Sequence, residues 1–181
     1  MEIALKKILF IFLITVASLF SYEYDDTIMS IEAKLFPKIA LMEQHIRQKT
    51  KSSLDILILY KEIDKDIAKK FAAKIKQRYT RPLLDKKIYV DTALLSKIKK
   101  LQKVPDVIIV LSYDAKEMRF VAAWANKNRV VSFVYEPENL KYGFLGSVYI
   151  GKTVKPYLNK QTIKEHGFVF TPYLLQLSKF K

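Results

Sequence analysis

Gly151-Lys-Thr-Val-Lys-Pro-Tyr-Leu158-Asn-Lys-Gln-Thr-Ile-Lys-Glu-His-Gly167-Phe-Val-Phe-Thr171-Pro-Tyr-Leu-Leu-Gln-Leu-Ser-Lys-Phe180 carries more structural punctuation than any other stretch of the chain. A strand ends at Leu158. Asn159 is a helix N-cap, Gly167 suits the left-handed conformation that stops a helix, and Thr171 before Pro172 is an N-cap followed by proline at the first helical position. The spacing predicts a helix of about two turns up to His166 and a second helix from Pro172 to the end, docking through Tyr173, Leu174, Leu177 and Phe180.

Working back from this tail, Leu145–Ile150 and Thr153–Leu158 are two strands joined through Gly151-Lys152, a connection short enough to make them an antiparallel hairpin. Before them, strand and helix patterns alternate. Leu54-Asp-Ile-Leu-Ile-Leu-Tyr60 is a nearly continuous aliphatic run suited to a strand covered on both faces. Ile67, Phe71, Ile75 and Tyr79 mark a helix, Ile88–Val90 a strand, Leu94, Leu95, Ile98 and Leu101 a second crossover helix, and Val107–Leu111 a third strand. Met118, Val121, Ala122 and Ala125 then mark a helix before the strand Val130–Tyr135. The expected fold is a single α/β domain with a mainly parallel sheet flanked by helices, an antiparallel C-terminal hairpin and two C-terminal helices. Ahead of the first strand, Ile28, Ile31, Leu35, Ile39, Met42 and Ile46 predict one long amphipathic helix, capped by Asp25-Asp26-Thr27 and bent near Pro37.

The order of residues in the tail, Leu158-Asn159, Gly167, Phe168, Phe170-Thr171, Leu174-Leu175 and Leu177, resembles the YfiR-like family of periplasmic proteins. The first helix, the β-α-β core and the hairpin agree with that resemblance over most of the chain. Members often carry Trp-Pro just beyond the first helix, where this sequence has Glu43-Gln44-His45. The resemblance implies a non-enzymatic periplasmic regulator that binds the periplasmic part of a membrane signalling protein and represses a diguanylate cyclase, lowering cyclic-di-GMP. The best-known members carry disulfides. This chain has no cysteine, so a redox-sensing role has no chemical basis here, and thiolate zinc sites and lipid attachment to cysteine fall with it.

The amino-terminal residues point to the same compartment independently. Lys6-Lys7, the apolar run Ile8–Phe20 and Ser21 before the polar Tyr22-Glu-Tyr-Asp-Asp26 read as a signal peptide over residues 1–21, cut near Ser21 or, second, near Ala17, with an uncleaved anchor as the alternative. The mature domain would then be residues 22–181, about 160 residues around one core.

The formal charge of +14 falls to +13 when Glu2, Lys6 and Lys7 leave. Such a balance favours acidic partners, but no nucleic-acid motif accompanies the lysines, and in Lys61-Glu-Ile-Asp-Lys-Asp-Ile-Ala-Lys-Lys70 they are interleaved with acids as on a solvated helix face. Nucleic acid is therefore not an expected partner, and a homodimer stays open.

The chemistry of an enzyme is hard to find. All four glycines lie at or after Gly143, whereas a nucleotide site needs glycine at the first strand-to-helix turn; here that turn is Tyr60-Lys-Glu-Ile-Asp64. Neither His45 nor His166 has ligand spacing; Glu43, two residues from His45, lies off its helical face, and His166 suits a helix C-terminus. Asp64 and Asp66 stabilise a helix start before they suggest general acid–base work. No catalytic residue, metal ligand or cofactor is expected. Two contact regions remain. Tyr135, Glu136, Glu138 and Tyr142 stand on the Tyr135–Gly143 loop after a strand's carboxyl end, the edge where open α/β sheets take ligands, and this is the basis of an alternative reading as a small-ligand-binding module. Phe120 and Trp124, one turn apart on a helix, are a candidate aromatic patch, with core packing as the plainer role.

Overall fold

The computed structural model describes residues 24–49 and 51–181, so the expected signal peptide, residues 1–21, lies outside the described residues. Two helices open the described residues, α1 (Asp26–Leu41) and α2 (Gln44–Gln48). The body follows as β1 (Ser53–Tyr60), α3 (Lys65–Arg78), β2 (Lys87–Leu94), β3 (Val107–Leu111), α4 (Ala115–Lys127), β4 (Val131–Val134), β5 (Gly146–Ile150) and β6 (Val154–Leu158). The tail is α5 (Lys160–His166), α6 (Pro172–Leu177) and a two-residue β7 (Lys179–Phe180). The sheet order is β2-β1-β3-β4-β5-β6-β7, parallel except for the β5–β6 hairpin. This is the α/β architecture expected from the alternating pattern.

The two faces of the sheet hold separate cores. On one, Leu54, Ile56 and Ile58 of β1 meet Phe36 and Ile39 of α1 and Phe71 and Ile75 of α3, and Phe36 stacks on Phe133 of β4 at 4.4 Å between ring centroids. On the other, Ile108 and Val110 of β3 meet Met118, Val121 and Ala125 of α4. Since β3 is buried throughout, its unbroken aliphatic run has both faces to satisfy.

Four expectations need correction. First, α1 runs through Pro37 and ends at Leu41. The break falls at Met42-Glu43 because the tail crosses there: Gln44 N donates to Val169 O (2.8 Å) and Thr171 N to Met42 O (3.1 Å). Second, no crossover α-helix follows β2. Eight register pairs with β1 draw Asp91–Leu94 into the strand, leaving only a 3-10 turn, Leu95–Lys100, to cross to β3. Third, the last helix stops at Leu177, and Lys179–Phe180 instead pairs with Tyr157–Leu158 of β6. Tyr173, Leu177 and Phe180 are exposed, and Leu174 alone of the expected stripe is buried. Fourth, Glu43 is the N-cap of α2, outside its helical turns, and so its Oε1 lies 2.7 Å from His45 Nδ1.

The tail's three local signals act as expected. Asn159 accepts from Thr162 N (3.1 Å), Gly167 has φ of 66°, and Thr171 Oγ1 accepts from Leu174 N (3.4 Å). Phe168, Phe170 and Leu174 anchor the segment in the α1 core.

Candidate functional site

The strand order reverses between β1 and β3, and a crevice outside the carboxyl ends of those strands is where doubly wound sheets seat ligands. Here Tyr24, just before α1, packs over the ends of β3 and β4. Its ring lies 4.9 Å from that of Tyr135 and 6.0 Å from that of Tyr113. Burial raises the hydroxyl pKa of both Tyr24 and Tyr113. Beside them Lys61 Nζ pairs with Glu117 Oε2 (3.1 Å), which also accepts from Ser112 Oγ (3.1 Å). Aromatic packing and an ion pair thus occupy the expected crevice.

A cleft of about 640 Å³ opens one step along the same edge, beyond β4 and β5. Pro137 starts a 3-10 turn over Pro137–Tyr142, and Gly143, at φ 97°, ends it. This turn carries Glu136 and Glu138 to one rim. Burial, and then the charge of Glu138, lifts the Glu136 carboxyl above its ordinary value. The opposite wall comes from the hairpin and β7: Tyr149, Tyr157 and Lys179, with Lys181 beside them, while Lys141 stands on the same turn as the acids. Lys179 Nζ sits 3.6 Å from the Tyr149 ring centroid and 5.5 Å from that of Tyr157. Its charge rests on ring faces, a weaker hold than a carboxylate. Ile28, Tyr135, Pro137, Val148 and Ile150 complete the lining. Tyr135 is nearly buried, its hydroxyl donates to Asp25 O (3.3 Å), and burial pushes its pKa to about 12. A cleft lined by acids, lysines and flat rings suits a small molecule bearing both charges on an apolar body.

Three of the four loop residues singled out from sequence, Tyr135, Glu136 and Glu138, line this cleft. Tyr142 lies instead in a neighbouring hollow with Asn126, Asn159 and Thr162, its ring between Arg119 (5.4 Å) and Lys141 (5.2 Å). Phe120 is open to solvent beneath Lys99 Nζ (4.7 Å), whereas Trp124 is half-buried against the α4 core. Tyr149, Tyr157 and Lys179 were not singled out. The hairpin register could have paired the two tyrosines, since Ser147 faces Tyr157 and Tyr149 faces Lys155, a diagonal within reach of aromatic rings. Lys179 was hidden because its segment read as helix.

The polar residues elsewhere have structural work. Asp66 lies in the first turn of α3, and Asp64 takes the cap position with no cap hydrogen bond from its side chain; burial raises its carboxyl pKa despite Lys61. His166 closes the last turn of α5. Among the described residues no group of three or more His, Asp, Glu or Cys could hold a metal ion, and no helix is long and apolar enough to cross a membrane.

No protein-family model and no curated protein matches the chain. Among solved structures it is similar to a conserved domain protein from Vibrio cholerae O1 biovar El Tor, with 13% identity and a TM-score of 0.56 over 84% of this chain and 60% of that one. It is also similar to an ABC domain from Streptococcus pneumoniae in complex with L-Trp, with 16% identity and a TM-score of 0.55 over 78% of this chain and 60% of that one. The chain therefore spans about 60% of the length of either structure. At these identities the likeness is one of fold.

Proposed function

We propose that this chain is a non-enzymatic periplasmic regulator that binds the periplasmic part of a membrane signalling protein, a diguanylate cyclase, and represses it. The observation that carries this reading is the tail. Asn159, Gly167, Phe168, Phe170, Thr171 and Leu174, on which the resemblance to YfiR-like proteins rests, all serve the joints and anchors of a single docked unit. A regulator of this kind acts by binding one state of its partner better than the other. Deleting the gene is expected to raise cyclic-di-GMP only while the partner cyclase is present. The measurement is nucleotide level in single and double deletions, paired with capture of membrane proteins on the purified chain; unchanged levels with no captured membrane protein would sink the reading.

The cleft favours a second reading, a periplasmic small-ligand-binding module. Its dipolar lining and the L-Trp bound by the similar Streptococcus pneumoniae domain both support an amino-acid-like ligand. Titration calorimetry with L-Trp, and with a set of free amino acids beside it, tests this. Tyr149→Ala is expected to abolish the heat signal, and a flat titration with every member would remove the second reading while leaving the first standing.

A further inference from the structure

Charge is unevenly spread along the chain. From Lys141 to Lys181 there are seven lysines and one acid, Glu165, whose Oε1 accepts from Gln161 Nε2 (2.8 Å). All seven lysines are exposed. Earlier in the chain lysines find carboxylates: Asp26, Asp55, Asp106 and Glu117 each hold at least one. Among the described residues no lysine–carboxylate pair involves a residue after Glu117.

The same basic stretch leaves apolar surface open at one corner of the sheet. Register partners and alternate residues share a face, so Val148, Ile150, Val154, Pro156, Leu158 and Phe180 point the same way. Val148 and Leu158 are buried in the α1 core, whereas Ile150, Val154 and Phe180 lie past its edge and are 40%, 45% and 40% exposed. α6 packs on β6 and adds Tyr173 and Leu177, both exposed. Ile150 and Val154 are the last register pair of the hairpin, and so they stand at its tip, with Lys152 in the turn between them. Lys155 and Lys179 rise from the opposite face.

We propose that this corner docks on an anionic lipid bilayer, with Ile150 and Val154 entering the boundary between headgroups and acyl chains and Lys152 and Lys155 lying among the lipid phosphates. Exposed apolar residues scattered singly need no explanation. Here three of them continue one core face to the end of a hairpin, ringed by lysines without carboxylates, which matches a surface negative outside and apolar within. Long lysine side chains lay their stems along apolar groups and keep the charge among the headgroups. An acidic protein would have to set carboxylates against particular lysines; a bilayer offers phosphates at any spacing. The contact needs no protein partner, and so stands apart from the regulator and ligand-binding readings.

Flotation of the purified protein with lipid vesicles tests this. The native chain is expected to float with vesicles of equal parts phosphatidylglycerol and phosphatidylcholine, and to stay behind with phosphatidylcholine alone. A lysine near an anionic surface contributes roughly fivefold in affinity, so Lys152→Gln together with Lys155→Gln is expected to weaken binding by roughly twentyfold or more. The same exchange at Lys97 and Lys100, exposed on the 3-10 turn at the other end of the sheet, is expected to change it little. Val154→Trp puts a reporter in the corner, and its emission is expected to move to the blue with anionic vesicles, over a constant background from Trp124 on α4. Circular dichroism melts check that these variants, all at exposed side chains, keep the native fold. Failure of the native chain to float with anionic vesicles, binding indifferent to the Lys152 and Lys155 exchange, or an emission that does not move overturns the proposal.

Discussion

Glu32 is a costly residue to place. It is fully buried on α1, neither carboxylate oxygen has a hydrogen-bond partner, and burial raises its pKa well above the ordinary 4.5. The native state therefore keeps a proton that the unfolded chain releases. For a group raised in this way stability falls as pH climbs past 4.5, by about 1.4 kcal/mol per pH unit until the native pKa is reached. Glu32→Gln, which has no proton to lose, is expected to match the parent near pH 4.5 and exceed it at pH 7.5, read from urea titrations at both; parallel curves would refute the assignment. Glu43 is the opposite case, buried and satisfied. Its carboxylate accepts from Ile46 N (2.9 Å) and Val169 N (3.2 Å) and contacts His45 Nδ1, while Arg129 Nη2 lies 3.3 Å from His45 Nε2 and donates to Gly167 O (3.0 Å). Glu43→Ala removes a cap worth about 1 kcal/mol and leaves an unmet donor costing about 1–3 kcal/mol. A total of roughly 2–4 kcal/mol is expected from the shift in denaturation midpoint.

At the scale of the element, α6 separates two leucines that the sequence set on one stripe. Leu174 is 3% exposed and Leu177 is 46% exposed. Leu174→Ala is expected to cost about 2–5 kcal/mol, as for buried leucines generally, and Leu177→Ala within about 0.5 kcal/mol, measured in the same denaturant series. Equal losses would place both in the core. The contrast explains what could be read ahead of the structure. Strands such as Val107–Leu111, and caps such as Asn159, Gly167 and Thr171, are set by neighbours along the chain, so their residues declare them. The 3-10 turn after β2 and the strand Lys179–Phe180 are decided by partners far away, Ser53–Tyr60 and Tyr157–Leu158, which override helical spacing. The cleft followed the same division. Its loop rim was legible because a strand end, a proline and a glycine mark it, and its opposite wall was not, because that wall exists only after β7 has paired with β6.

At the scale of the molecule, the basic surface governs encounters. A charge of about +13 on residues 22–181 draws the domain to acidic partners, and because exposed charges are screened beyond roughly 8 Å at physiological ionic strength, capture of a membrane partner is expected to weaken as salt rises from low to high. Retention that ignores salt would assign the contact to apolar surface instead. Intact mass of the periplasmic protein is expected to begin near Tyr22, which leaves Tyr24 in place against Tyr113 and Tyr135; recovery of the Met1 form from the cytosol would end the case for export. The crossing of the tail beneath Met42-Glu43 also dictates an order of events in folding. Glu43 bridges to Phe170, so the junction after α1, with the buried Glu43, cannot be closed until a segment made more than a hundred residues later arrives. Closing so long a loop is slow. A nascent chain halted before Phe168 therefore lacks the partner of Glu43 and presents an open junction to proteases and chaperones, and the end of α1, though made early, is among the last places to be safe.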